Sequence, residues 1–128
     1  MFKKFLIIII SLFFGLVSIV YSQNYYADIE IDVLDDGSTT ITGISNFDSL
    51  NNVTNSQIYT SKKGNMWLFN LTTDIYFEDY IFKLNFPPGV QINYIKTTPN
   101  FRIEDNGDSL SLIGIGENQK LNILVQYK

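Results

Sequence analysis

From Ala27 onward, apolar and polar residues alternate with period two almost without a break, the spacing by which a strand buries one face and wets the other. Ala27, Ile29, Ile31 and Val33 alternate with Asp28, Glu30 and Asp32 and predict a first strand. Asp35-Asp36-Gly37-Ser38 predicts the turn after it, with Gly37 free to take a positive φ. Residues 39–44 return as a second strand, and residues 46–55, rich in Asn, Asp and Ser and without periodicity, read as the longest loop. Residues 57–61 and 66–71 flank Lys62-Lys63-Gly64-Asn65 as a hairpin whose second strand carries Trp67 and Phe69. The pattern over residues 72–79 is ambiguous. Tyr80, Phe82, Leu84 and Phe86 alternate again, Pro87-Pro88-Gly89 forces a turn, and Val90, Ile92 and Tyr94 continue beyond it.

Asn106-Gly107 is the strongest local signal, because a two-residue Asn-Gly loop fits the type I′ turn that matches strand twist. Pairing around it sets Ile103 opposite Leu110 and Phe101 opposite Leu112, with Arg102 and Glu104 facing Ser111 and Ser109. Gly116-Glu117-Asn118-Gln119 reads as a further turn before a last strand carrying Leu121, Ile123, Val125 and Tyr127. No segment has the period of an amphipathic helix. About eight short strands separated by regular turns predict an all-β fold, a single antiparallel β-sandwich of two packed sheets with immunoglobulin-like architecture.

The first 22 residues break the pattern. Lys3 and Lys4 precede an uncharged apolar run over residues 5–20, and Val20-Tyr21-Ser22 places small or modest residues where a signal peptidase cuts. Sixteen apolar residues fall short of the roughly 20 that span a bilayer, so a cleaved signal peptide is preferred to a retained signal anchor. Either outcome places the remainder outside the cytoplasm, as a secreted or cell-surface domain. That remainder, residues 23–128, is the size of one domain. It holds seven basic and thirteen acidic residues, a balance that repels nucleic acid and anionic lipid. The sequence has no cysteine, so apolar burial and strand pairing must hold the fold without disulfides.

Histidine is absent as well, which removes the usual general base along with the strongest nucleophile. Asp35 with Asp36, and Glu78 with Asp79, are adjacent carboxylates that point apart instead of flanking one bond. Ser61 beside Lys62 sits at a polar hairpin tip. Catalysis is therefore not expected, and no cofactor is implied. Calcium has oxygen ligands available at Asp28, Glu30, Asp32, Asp35 and Asp36, and again at Glu104, Asp105 and Asp108. Alternate residues on a straight strand stand about 6.6 Å apart, too far to converge on one ion, so only Asp35 and Asp36 at the turn remain as metal candidates. Gly114-Ile115-Gly116 lacks the third glycine and the helix of a dinucleotide loop. Asn52-Val53-Thr54 and Asn70-Leu71-Thr72 are glycosylation sequons, with Asn52 in the long loop and Asn70 on a strand.

Tyr25, Tyr26, Trp67, Tyr76, Phe77 and Tyr80 serve either a core or a recognition platform. Of adjacent pairs such as Tyr25-Tyr26 and Tyr76-Phe77, one ring of each must leave the core. Lys62 and Lys63 are the adjacent cations of an acidic surface, so Lys62, Lys63, Trp67 and Tyr76 are the interaction candidates.

The stretches YADIEIDVLDDGSTTITGISN (26–46), IYTSKKGNMWLFNLT (58–72), DYIFKLNFPPGVQINYIKT (79–97) and GENQKLNILVQYK (116–128) together resemble the exported β-domain, or ectodomain, of uncharacterised archaeal surface proteins. In that family a transmembrane helix and a winged-helix segment often follow the domain. Residues 23–128 match the ectodomain part of that pattern, so the ectodomain alone is expected to carry over. It implies an exported, non-catalytic interaction or structural module with a protein or cell-envelope partner. The alternative it implies is a sensor ectodomain acting through a membrane partner or a retained anchor, and a carbohydrate or calcium binder ranks below both.

Overall fold

The structure, a computed structural model, describes residues 24–128, so the apolar leader lies outside the described residues. Eight strands follow one another: β1 Tyr25–Val33, β2 Thr39–Ser45, β3 Val53–Ser56, β4 Thr60–Lys63, β5 Met66–Asn85, β6 Ile92–Thr97, β7 Asn100–Asp105 and β8 Leu110–Tyr127. A single 3-10 turn, Asp48–Leu50, interrupts the long loop and drops Leu50 into the core. The protein is all-β.

The eight strands form one hydrogen-bonded sheet in the order β3-β2-β1-β5-β8-β6, with β4 added to β5 and β7 added to β8. This corrects the expectation of an antiparallel fold with separate sheets in two respects. The sheet is continuous, and it is mixed, because β1 lies parallel to β5 with Ala27 beside Tyr80, Ile29 beside Phe82 and Ile31 beside Leu84. Period-two patterning cannot separate the two cases, since parallel and antiparallel neighbours alternate faces alike.

Two strands expected as four carry the sheet. The strands expected at residues 66–71 and 80–86 belong to one strand, β5, which ends at Asn85, and the expected turn at residues 116–119 lies inside β8. The β5–β8 ladder runs from Trp67 opposite Tyr127 to Asn85 opposite Ser111. Its apolar face changes phase on the way, which is what hid it in the sequence. On β5 the buried positions are Phe69, Leu71 and Phe77, then Tyr80, Phe82 and Leu84. On β8 they are Leu112, then Leu121, Ile123, Val125 and Tyr127. The register with β8 shifts between Thr72 and Tyr76, where Asp74 takes φ 54°, and Asn118 takes φ 50° on the facing strand. The irregular stretch is hydrogen-bonded in place: Thr73 Oγ1 donates to the Leu121 carbonyl at 2.9 Å, and the Ile75 amide donates to Thr73 Oγ1 at 3.2 Å. Such bulges bend and twist a ladder without ending it.

Packing of the bent ladder depends on glycines facing rings. Gly116 is opposite Tyr80 and Gly114 opposite Phe82, and each ring lies over the glycine so closely that a Cβ there would collide with it. Rings covering cross-strand glycines keep both the close approach and the apolar area. The Tyr80 hydroxyl then donates to the Lys120 carbonyl at 3.0 Å.

The Asn-Gly turn forms, but in a longer loop than expected. Ile103 faces Leu112, Phe101 faces Gly114, and Asp105 faces Leu110, a slip of two residues that leaves every side chain on its expected face. Asn106 to Ser109 form the loop, closed by the Asn106 amide donating to the Ser109 carbonyl at 3.0 Å and by the Gly107 amide donating to Asp105 Oδ1 at 2.8 Å. That side-chain bond lets the larger loop displace the two-residue turn.

Tyr127 ends β8 inside the core, packed edge-on against Phe86 at 5.1 Å. Its hydroxyl is buried without a hydrogen-bond partner among the described residues, and burial pushes its pKa from 10 up to about 12. The folded state thus favours the neutral phenol, and this contribution is intact below pH 10 and lost as pH rises toward 12. Denaturant unfolding followed between pH 9 and 12 should show stability falling through that window. Tyr127→Phe should flatten the fall and leave neutral-pH stability within about 1 kcal/mol, because the hydroxyl it removes has no partner to lose.

Candidate functional site

The sheet has an apolar face folded onto the core and an opposite face turned to solvent, and the outer face over β2, β1, β5 and β8 departs from an ordinary polar surface. Cross-strand register aligns Ile44, Asp28, Ile81 and Ile115 in one row. Beside it lies the row Thr42, Glu30, Lys83 and Ile113, extended by Arg102 of β7. Ile44 is 64% exposed and Ile115 57%, values that place both side chains in water instead of a core. Ile81 and Tyr26 are exposed as well. Tyr26, Asp28, Asp79, Ile81 and Ile115 line a notch of about 350 Å³. Its walls combine apolar surface with two carboxylates, a chemistry suited to a side chain with an apolar stem and a cationic head.

Sequence reasoning missed this row, although its signal is present. Tyr80, Phe82 and Leu84 fix the buried phase of β5, so Ile81 must point outward, and Gly114 and Gly116 fix the phase that exposes Ile115. Apolar residues in the wet phase of a strand mark a surface worth a contact.

The residues singled out from the sequence are dispersed. Asp35 and Asp36 lie in the β1–β2 turn, closed by the Gly37 amide donating to the Leu34 carbonyl at 2.9 Å, with Gly37 at φ 81°. Asp36 Oδ1 accepts the Ser38 amide at 2.9 Å, and hydrogen bonding from Ser38 holds its carboxyl below the usual carboxylate range. Among the described residues no three acidic side chains converge to hold a metal ion. Glu30 and Asp32 instead both accept from the Asn85 amide, at 2.8 and 2.7 Å. Asn52 is exposed at φ 58° beyond the 3-10 turn. Asn70 is exposed on β5, and its Oδ1 accepts the Thr72 hydroxyl at 2.6 Å, so both polar members of that sequon share the wet face.

Lys62, Lys63 and Trp67 do meet, at the β4–β5 hairpin. Lys62 Nζ stands 5.2 Å from the centre of the Trp67 ring. The indole stacks on Tyr127 at 6.3 Å with 9° between the planes, and its other neighbour is Gly37 of the β1–β2 turn. Trp67 therefore closes the end of the core. Tyr76 lies elsewhere, beside the irregular stretch of β5, 67% exposed with Lys120 Nζ at 5.8 Å from its ring. Lys120 also lies 4.0 Å from Asp74.

Comparison with known proteins returns no matching family model, no matching curated protein and no matching solved structure. Among the described residues no helix is long and apolar enough to cross a membrane.

The two kinds of residue at the hairpin should separate in urea unfolding. Trp67→Ala should cost about 2 kcal/mol or more, through lost stacking and an opened core end. Lys62→Glu with Lys63→Glu should cost about 0.5–1 kcal/mol, the size of an exposed cation–π contact. Equal small losses in both would contradict the role assigned to Trp67.

Proposed function

We propose that this chain is an exported, non-catalytic β domain that works as a cell-surface interaction or structural module, as its likeness to archaeal surface ectodomains suggests. In this reading the two ends of the β5–β8 ladder fold toward each other as the layers of a sandwich. The observation that carries the proposal is the exposed row Ile44, Ile81 and Ile115, set among Asp28, Asp79 and Glu117. An apolar strip between acids recognises an apolar partner segment flanked by basic residues, with burial supplying affinity and the acids supplying selection. The export reading rests on Lys3, Lys4 and the apolar run over residues 5–20.

Ile81→Lys with Ile115→Lys tests the surface in the native host. Both side chains face solvent, so each change should leave stability within about 0.5 kcal/mol. Protease applied to intact cells should digest the wild-type chain, which locates it outside, and the double variant should be shed into the medium. A chain protected inside the cell would contradict export. A variant retained on the surface as firmly as the wild type would contradict the assignment of this face.

A further inference from the structure

Strand β7 is an edge. It pairs with β8 on one side, and among the described residues nothing pairs with its other side. An edge strand presents unpaired N–H and C=O groups, and proteins usually guard such an edge with charged side chains, proline, a bulge or a cover, of which charges of both signs leave room for pairing with a second copy. Here the six residues Asn100 to Asp105 contain no proline, and their charges are of both signs, Arg102 followed two positions later by Glu104 and then by Asp105. None of these charges has an ion-pair partner among the described residues. Phe101 and Ile103, on the core-facing side of the strand opposite Gly114 and Leu112, are 45% and 49% exposed, so the apolar face of the sheet runs out to this edge uncovered.

The sequence of this edge is complementary to itself in one antiparallel register. A two-fold axis through the Ile103 pair sets Arg102 opposite Glu104 of the second copy, and Glu104 opposite its Arg102. Moving the axis to residue 102 sets arginine against arginine, and moving it to residue 104 sets glutamate against glutamate. Directly opposed like charges destabilise a strand pair, whereas opposite charges stabilise it. In the favoured register the two Ile103 side chains meet at the axis on the Leu112 side, with Phe101 of each copy opposite Asp105 of the other. We propose that the chain forms a two-fold dimer by antiparallel pairing of β7 with β7 of a second copy, centred on Ile103. The contact is isologous, so it uses up the free side of β7 in both copies and closes at two. Two eight-stranded sheets then become one, and the outer faces of both copies lie on the same side of it. The inference stands independently of what the outer face binds.

Sedimentation velocity and equilibrium on the full-length chain, expressed from Met1 and measured as purified, test this. The wild type should be dimeric at about 100 μM, where an interface of micromolar Kd is filled. Arg102→Glu alone places glutamate against glutamate twice and should raise the dimer Kd by about tenfold or more. The exchanged variant, Arg102→Glu with Glu104→Arg, restores two opposite-charge pairs and should return the Kd to within about threefold of wild type. Within one chain these positions face Ile113 and Ser111, so the exchange disturbs no intrachain charge pair. Ile103→Lys sets two cations at the axis and should leave the chain monomeric, with thermal unfolding verifying that each variant folds. A monomeric wild type overturns the proposal. So does a dimer indifferent to Arg102→Glu and Ile103→Lys, as association through the apolar leader would be, and so does failure of the exchange to rescue.

Discussion

The fold depends on the ladder between β5 and β8, because every other strand hangs on one of the two directly or, for β2 and β3, through β1. β1 and β4 attach to β5, while β6 and β7 attach to β8. A straight strand of twenty residues would be about 66 Å long, while a folded domain of about 100 residues has a radius of gyration near 13 Å. Such a ladder fits a small domain only if it bends. Asp74 and Asn118, both at positive φ, mark where it does, and the Thr73 and Asn122 side chains bond the irregular backbone there. With no disulfide to assist, one bent ladder gives Phe69, Phe82, Ile123 and Leu112 a common core.

That constraint also shapes the surface. Facing Tyr80 and Phe82 with Gly116 and Gly114 puts rings over bare backbone and leaves Ile115, between the glycines, on the outer side. The parallel docking of β1 brings Asp28 next to Ile81, which mixes acid into an apolar row. The candidate contact face is thus a consequence of how the ladder packs. The hairpin singled out by its charge serves a different purpose, since Lys62 lies over Trp67, which stacks on Tyr127 at the end of the core.

Local signals in the sequence reported the local structure well. The alternation of Ala27 to Val33, the Asp36-Gly37 turn, the Gly64-Asn65 hairpin and the break at Pro87-Pro88 all mark features that the chain adopts. What escaped was non-local. The parallel contact of β1 with β5 leaves no mark on either strand, and the irregular stretch at Asp74 together with the phase changes between Phe77 and Tyr80 and near Asn118 made two continuous strands read as four elements. The slip at Asn106-Gly107 came from the Asp105 carboxylate, which caps a four-residue loop where the dipeptide alone suggested two. The contact row was legible in principle, because the buried phase of each strand exposes Ile81 and Ile115, but its assembly required the register between strands.

Native-state hydrogen exchange tests the dependence on the ladder most directly, since the most protected amides open only with global unfolding. The amides of Tyr80, Phe82 and Leu84 on β5 and of Leu112, Ile123 and Val125 on β8 should exchange slowest and together. Those of Ile29 and Ile31 should follow, and those of β3, β4 and the free edge of β7 should exchange first. Slowest exchange in the β1–β2 hairpin, with β5 and β8 opening as early as the loops, would contradict the account.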